Sequence, residues 1–226
     1  MGQVQFFDFQ VATRDIEGLT DARGDSIKSM LESDYSISVD SVKVILGYQV
    51  KSDISESDAQ SAIYDLFADP IIEVGVVNKS IINNQELFPT PPEIAITVGF
   101  KPGVTDNAGQ AGLDGLRTIF PEISESSQVA TTMTYLFWGV SEEISPIWLS
   151  SKLHNQMIER ASISNRDDCS IKKWPELSFP ERPPLIEQPS AIVNLEVSDD
   201  ELIEISEKGL LALNLNEMKA IQANYR

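Results

Sequence analysis

Two seven-residue stretches narrow the folds open to this chain. Gly18 to Gly24 reads GLTDARG, and Gly103 to Gly109 reads GVTDNAG, 85 residues further on. Both fit Gly-[Leu/Val]-Thr-Asp-x-x-Gly. A second echo follows at nearly the same spacing: Pro70 to Glu73 reads PIIE and Gln156 to Glu159 reads QMIE, 86 residues apart. Two separate matches at nearly one spacing mark a tandem duplication, roughly residues 3–79 and 92–164.

Each copy carries the same coarse plan. A strand comes first, Val4 to Ala12 in one copy and Glu93 to Phe100 in the other. In the second, Ile94, Ile96 and Val98 alternate with Ala95, Thr97 and Gly99, the period-two pattern of a half-buried strand. The glycine turn follows, where Thr20 and Thr105, or Asp21 and Asp106 beside them, have the acceptor oxygens to cap a helix. The helix presents Ile27, Met30 and Leu31 in one copy and Leu113, Leu116 and Ile119 in the other, one apolar face toward a core. One or two further strands lie in Val39 to Val50 and in Val129 to Trp138, both rich in residues that suit a pleated surface. A second helix starts at Ser55-Glu56-Ser57-Asp58 with the stripe Ala59, Ala62, Ile63, Leu66 and Phe67. Its counterpart has Pro146 in its first turn, where a missing N–H costs nothing. A short strand closes each copy, Ile71 to Val77 and Met157 to Ile163. The expected unit is βαββαβ, an α+β arrangement.

Prolines mark the joints. Pro89, Pro91 and Pro92 separate the copies. Pro175, Pro180, Pro183, Pro184 and Pro189 fall in the stretch 166–190, expected to be irregular or polyproline-like. Beyond it, Ser198-Asp199-Asp200-Glu201 reads as a helix N-cap, Gly209 as its stop, and Asn214 as the start of a last helix that reaches Arg226 without a stop signal. The expected divisions are therefore 1–88 for the first repeat, 89–165 for the second, and 166–226 for a Pro-rich linker with short helices.

Charge and chemistry exclude several functions. Lys and Arg total 17 against 35 Asp and Glu, a net charge of −18, and such a field repels phosphate backbones and anionic membranes. No apolar run reaches the length of a membrane span, and Met1 to Gln10 lacks the form of a secretory signal. Position 6 is Phe6, which fails the myristoylation pattern. The single cysteine, Cys169, allows no internal disulfide and fits a reducing compartment. It follows Asp167 and Asp168, and anions nearby disfavour a thiolate. The single histidine, His154, has no pattern of ligands around it. The turn residues Gly18, Thr20, Asp21, Gly24, Gly103, Thr105, Asp106 and Gly109 resemble a phosphate cradle at a helix start, but Asp21 and Asp106 sit where the anion would go. Turn geometry and helix capping are the reading preferred here. The pairs Glu142-Glu143 and Asp199-Asp200 could hold a hard cation, yet at helix starts they complement the dipole. Tyr135, Phe137 and Trp138 are expected in the sheet; Trp148 and Trp174 are candidates for exposed contact residues, which the sequence alone does not decide. No catalytic, cofactor-binding or metal-ligating set emerges.

The residues resemble a family. Lys101-Pro102-Gly103-Val104-Thr105-Asp106-Asn107-Ala108-Gly109 looks like the K-P-G-V-x-D-x-x-G opening of the small PurS subunit of formylglycinamide ribonucleotide amidotransferase. Ala68-Asp69-Pro70-Ile71-Ile72-Glu73 resembles that subunit's closing N-P-V-I-E segment. Asp199-Asp200-Glu201-Leu202, then Gly209 to Leu213, then Asn216 to Gln222 resemble the linker ahead of the synthetase domain in the single-chain enzymes. Copy one departs from the opening, reading Arg14-Asp15-Ile16-Glu17-Gly18, and copy two has Gln156 in place of the proline.

The resemblance implies two fused PurS-like units with pseudo-twofold symmetry, acting as a non-catalytic N-terminal scaffold that ends before the catalytic domains. The parent ligase, phosphoribosylformylglycinamidine synthase, is a cytoplasmic enzyme of purine biosynthesis. It uses ATP, Mg and glutamine to convert formylglycinamide ribonucleotide to the amidine. The implied partners are the synthetase and glutaminase domains of the same polypeptide, with ammonia passed between them, and no cofactor is expected in this part. Two other readings stand beside it: a regulatory module binding a small molecule between tandem α+β units, and a free-standing acidic interaction protein.

Overall fold

The computed structural model describes residues 4–181 and 192–225. Pro183, Pro184 and Pro189 of the expected connector lie outside the described residues, as do Met1 to Gln3 and Arg226. The chain divides into two compact units, Met1–Pro183 and Pro184–Arg226.

The first unit is an α+β fold on a six-stranded antiparallel sheet. In chain order its elements are β1 (Gln5–Thr13), α1 (Ala22–Tyr35), β2 (Ser41–Ser52), α2 (Glu56–Ala62), β3 (Glu73–Val77), β4 (Ile94–Phe100), α3 (Asn107–Ile119), β5 (Gln128–Trp138), α4 (Pro146–Leu153), β6 (Glu159–Ser164) and α5 (Arg166–Ser170). The strand order is β3-β1-β2-β5-β4-β6. Read from either edge, it gives the last, first and middle strand of a half. The middle strands meet at the centre, where Leu46 faces Met133.

Alternation along the strands decides the two faces. Phe7, Phe9 and Val11, Val42 and Val44, Ile94 and Ile96, and Tyr135 and Phe137 point to one face and are buried there under helices. The halves share this core. Leu116 of α3 packs with Phe9, Phe67 and Val50 of the first half, while Leu31 of α1 packs with Ile94, Phe137 and Leu149 of the second. Tyr35 and Trp148 meet edge-on, ring centroids 5.5 Å apart. Trp148, a candidate surface contact, is thus half-buried, whereas Ile119 of the expected apolar face of α3 is exposed.

Each half runs β-α-β-α-β, so the expected pair of middle strands is a correction: β2 and β5 are single strands of 12 and 11 residues. Gly47, the one turn-prone residue inside β2, faces Thr132, whose side chain occupies the space a Cβ would need. The second helix of the first half ends in a π turn, Ile63–Phe67, which seats Ile63 and Phe67 in the core.

The opposite face carries Ala12, Ile45, Ala95 and Leu136, covered by two irregular segments. Residues 81–88 bring Ile81, Ile82, Leu87 and Phe88, with Phe88 stacked on Trp138. The stretch from Arg166 was expected to be irregular throughout, but it opens with α5, capped by Asn165 with a reciprocal bond from Asp168. After α5 the chain crosses the sheet as an extended strap. Thr97 Oγ1 donates to Pro175 O at 3.0 Å, Gln49 Nε2 to Leu177 O at 2.6 Å, and Lys51 pairs with Glu181. Trp174, the other candidate surface contact, packs against this layer and donates to Asn83 at 3.1 Å.

The second unit is a helical pair, α6 (Asp199–Lys208) and α7 (Leu215–Asn224), each with a reciprocal capping box, at Ser198–Glu201 and Asn214–Glu217. Leu202 and Met218 are buried. Gly209 ends α6 in helical geometry, and the left-handed residues of the reversal are Leu210 and Ala212. Among the described residues no helix is long and apolar enough to cross a membrane.

Candidate functional site

The twin glycine turns are built to one design. Gly18 and Gly103 have φ of +83° and +85°, the left-handed region where a Cβ is strained. Asp21 and Asp106, not the neighbouring threonines, are the N-caps. Asp21 Oδ1 accepts from the N–H of Arg23 and of Gly24, both at 3.2 Å, and Asp106 Oδ1 from Gly109 N–H at 2.7 Å. Thr20 and Thr105 are exposed.

The second oxygen of each carboxylate does something the sequence did not reveal. Asp21 Oδ2 accepts the Val44 backbone N–H at 2.6 Å, and Asp106 Oδ2 accepts the Thr131 N–H at 2.6 Å and its hydroxyl at 2.9 Å. One side chain thus closes the helix start and ties the helix to the middle strand of its own half. The closing glycine completes the joint. A Cβ on Gly24 would overlap the Val42 carbonyl oxygen, and one on Gly109 would stand 2.5 Å from that of Val129. The helix N–H groups that would cradle a phosphate already hold the chain's own carboxylates, so these turns are structural joints.

A second matched pair closes each half. Asp69 N–H donates to Glu73 at 2.9 Å and Ile71 N–H to Asp69 at 2.8 Å; Asn155 N–H donates to Glu159 at 2.6 Å and Met157 N–H to Asn155 at 2.9 Å. Arg14 then donates to Pro70 O at 3.1 Å and Lys101 to Gln156 O at 2.5 Å. The expected closing strands therefore begin two residues late, at Glu73 and Glu159. The PIIE and QMIE echo was the visible signal of this turn; the roles of Asp69, Asn155, Arg14 and Lys101 were missed.

The residues weighed for chemistry are dispersed. Cys169 lies on α5 rather than in a loop and is 1% exposed. Burial, more than the adjacent Asp168 charge, pushes its thiol up to about 11. His154 ends α4, where its Nδ1 donates to Ser150 O at 2.7 Å. Glu142 and Glu143 lie exposed in the turn before α4, and Asp199 and Asp200 in the first turn of α6. Among the described residues no three metal-ligating side chains converge. Compared with known protein families the chain matches no family model, and no curated protein matches it significantly.

Proposed function

We propose that this chain is the non-catalytic N-terminal scaffold of a phosphoribosylformylglycinamidine synthase, made of two fused PurS-like units and the linker that leads to a synthetase domain. The observation that carries the reading is the matched joint in each half. Asp21 with Val44 and Asp106 with Thr131 place Val44 and Thr131 at equivalent positions. Counting on, Leu46 and Met133 are equivalent too, and they face each other at the sheet centre. This pairing supports a reading as two like units about a twofold axis, as in a fused dimer.

A core shared between the halves suits a rigid platform. In this reading the platform bridges the synthetase and glutaminase domains of one cytoplasmic polypeptide and helps seal ammonia transfer between them. ATP and Mg bind in the synthetase domain. The glutaminase nucleophile is a cysteine of another domain, since a buried thiol such as Cys169 is the wrong group for attack.

The test is antibody capture of the native polypeptide from source cells, followed by assay. Amidine formation that requires formylglycinamide ribonucleotide, ATP and glutamine together is the expected result. A captured polypeptide with no such activity, while the same lysate retains it, would overturn the proposal.

A further inference from the structure

Between the sheet and the strap lies a cavity of about 560 Å³, within the range of small-molecule sites. Its floor is the centre of the sheet, from Gly47, Thr132 and Thr134 to Thr97, and its roof is Trp174 to Phe179. All of it belongs to the first compact unit.

The polar atoms of the lining are already partly committed, and what remains uncommitted is mostly acceptor. Thr97 Oγ1 gives its proton to Pro175 O, so it accepts from Thr134 at 2.8 Å, and the lone pairs of Thr134 remain. Gln49 is only 8% exposed; its amide nitrogen is held by Leu177 O, and its Oε1 has no partner among the described residues. Asp8 is oriented by Gln10, which donates to it at 2.7 Å while its own oxygen accepts from Ile81 N–H. Glu176 lines the same cavity. Burial, and then the Glu176 charge, raise the Asp8 carboxyl above its ordinary range, although Gln10 opposes the shift. Among the described residues neither carboxylate takes part in an ion pair. Among the described residues Lys79 is the only cation of the lining, and aromatic rings supply the walls: Phe6, Trp174 and Phe179. Phe179 already attracts one ammonium, Lys51 Nζ standing 4.8 Å from its centroid.

We infer that this cavity binds a small molecule bearing an ammonium or guanidinium group, its charge between Asp8 and Glu176 and its other N–H groups toward the acceptors of Gln49 and Thr134. Carboxylates, π faces and spare acceptors together select a cationic donor. The site is independent of the ligase reading.

The experiment is calorimetric titration of the 226-residue chain with L-arginine, putrescine and, as anionic comparator, adenosine monophosphate. About 150 mM salt screens loose attraction to the acidic surface. The expected result is one site per chain for an amine, weakened about tenfold or more in Asp8→Asn and in Glu176→Gln. Glu176 is exposed on the strap, so its variant tests charge without loss of a packed side chain. No binding of either amine up to about 10 mM, tighter binding of the nucleotide, or amine binding unchanged in both variants would overturn the inference.

Discussion

Asp21 Oδ2 accepts the backbone N–H of Val44 at 2.6 Å while Oδ1 caps α1, so one 4% exposed carboxylate joins two elements. Its removal leaves helix donors uncapped and a buried strand N–H without a partner. We expect Asp21→Ala to lose about 3 kcal/mol in urea unfolding, from a cap worth about 1 and an orphaned N–H worth about 2. Asp106→Ala should lose somewhat less, its site being less buried. Thr20→Ala and Thr105→Ala should stay within about 0.5 kcal/mol. A larger loss from the threonines than from the aspartates would reverse the assignment.

The glycines of the same joints separate two kinds of constraint. Gly18 has open space around it and a φ of +83°, so Gly18→Ala meets only backbone strain, about 1 kcal/mol. Gly24→Ala would drive a methyl group into the Val42 carbonyl oxygen, and Gly109→Ala into that of Val129. Those two should cost about 3 kcal/mol or more, because the helix must lift from its strand. Equal midpoint shifts for Gly18→Ala and Gly24→Ala would contradict the close-approach account.

Much of this architecture was legible in the sequence because it rests on local chemistry. The strand at Ile94 to Val98, the Ser55 and Ser198 caps, and Pro146 at a helix start are all short-range signals, although that strand is buried on both faces rather than half-buried as its alternation suggested. What stayed hidden is what only tertiary packing decides. The Asp21 bond to Val44 spans two elements, and no composition signal announces it. The strap was unreadable for the same reason: its prolines said irregular, and only the acceptors Pro175 O and Leu177 O, met by Thr97 and Gln49, fix it to the sheet. Trp148 and Trp174 stayed undecided because a lone tryptophan carries no periodicity to reveal its burial.

Cys169 should be silent to thiol reagents in the native chain. The residue is 1% exposed and its thiol is pushed up to about 11, chiefly by burial. With an aromatic disulfide reagent at pH 8 we expect no reaction over the time in which the denatured chain reacts completely. Prompt native reaction would mean that α5 does not cover the sheet as described.

Asp8 makes stability depend on pH in a defined direction. Its folded-state pKa is raised above 3.8, first by burial and with a lesser contribution from Glu176. A raised carboxyl favours the fold below the unfolded-state value, and that stability is lost as pH rises through the folded value. At pH 7 the ionised group is therefore a cost. Asp8→Asn should raise Tm at pH 7, with the gain shrinking toward pH 3.5. The same variant should lose the amine-induced Tm increase. A Tm below wild type at pH 7 would contradict the burial cost.

The central claim is that this sequence forms the first part of a larger ligase. The most direct measurement is the mass, on a denaturing gel, of the polypeptide that carries it in source cells, detected with an antibody raised against the chain. The account predicts a polypeptide several-fold larger than 25.0 kDa. A single species at 25.0 kDa would contradict it.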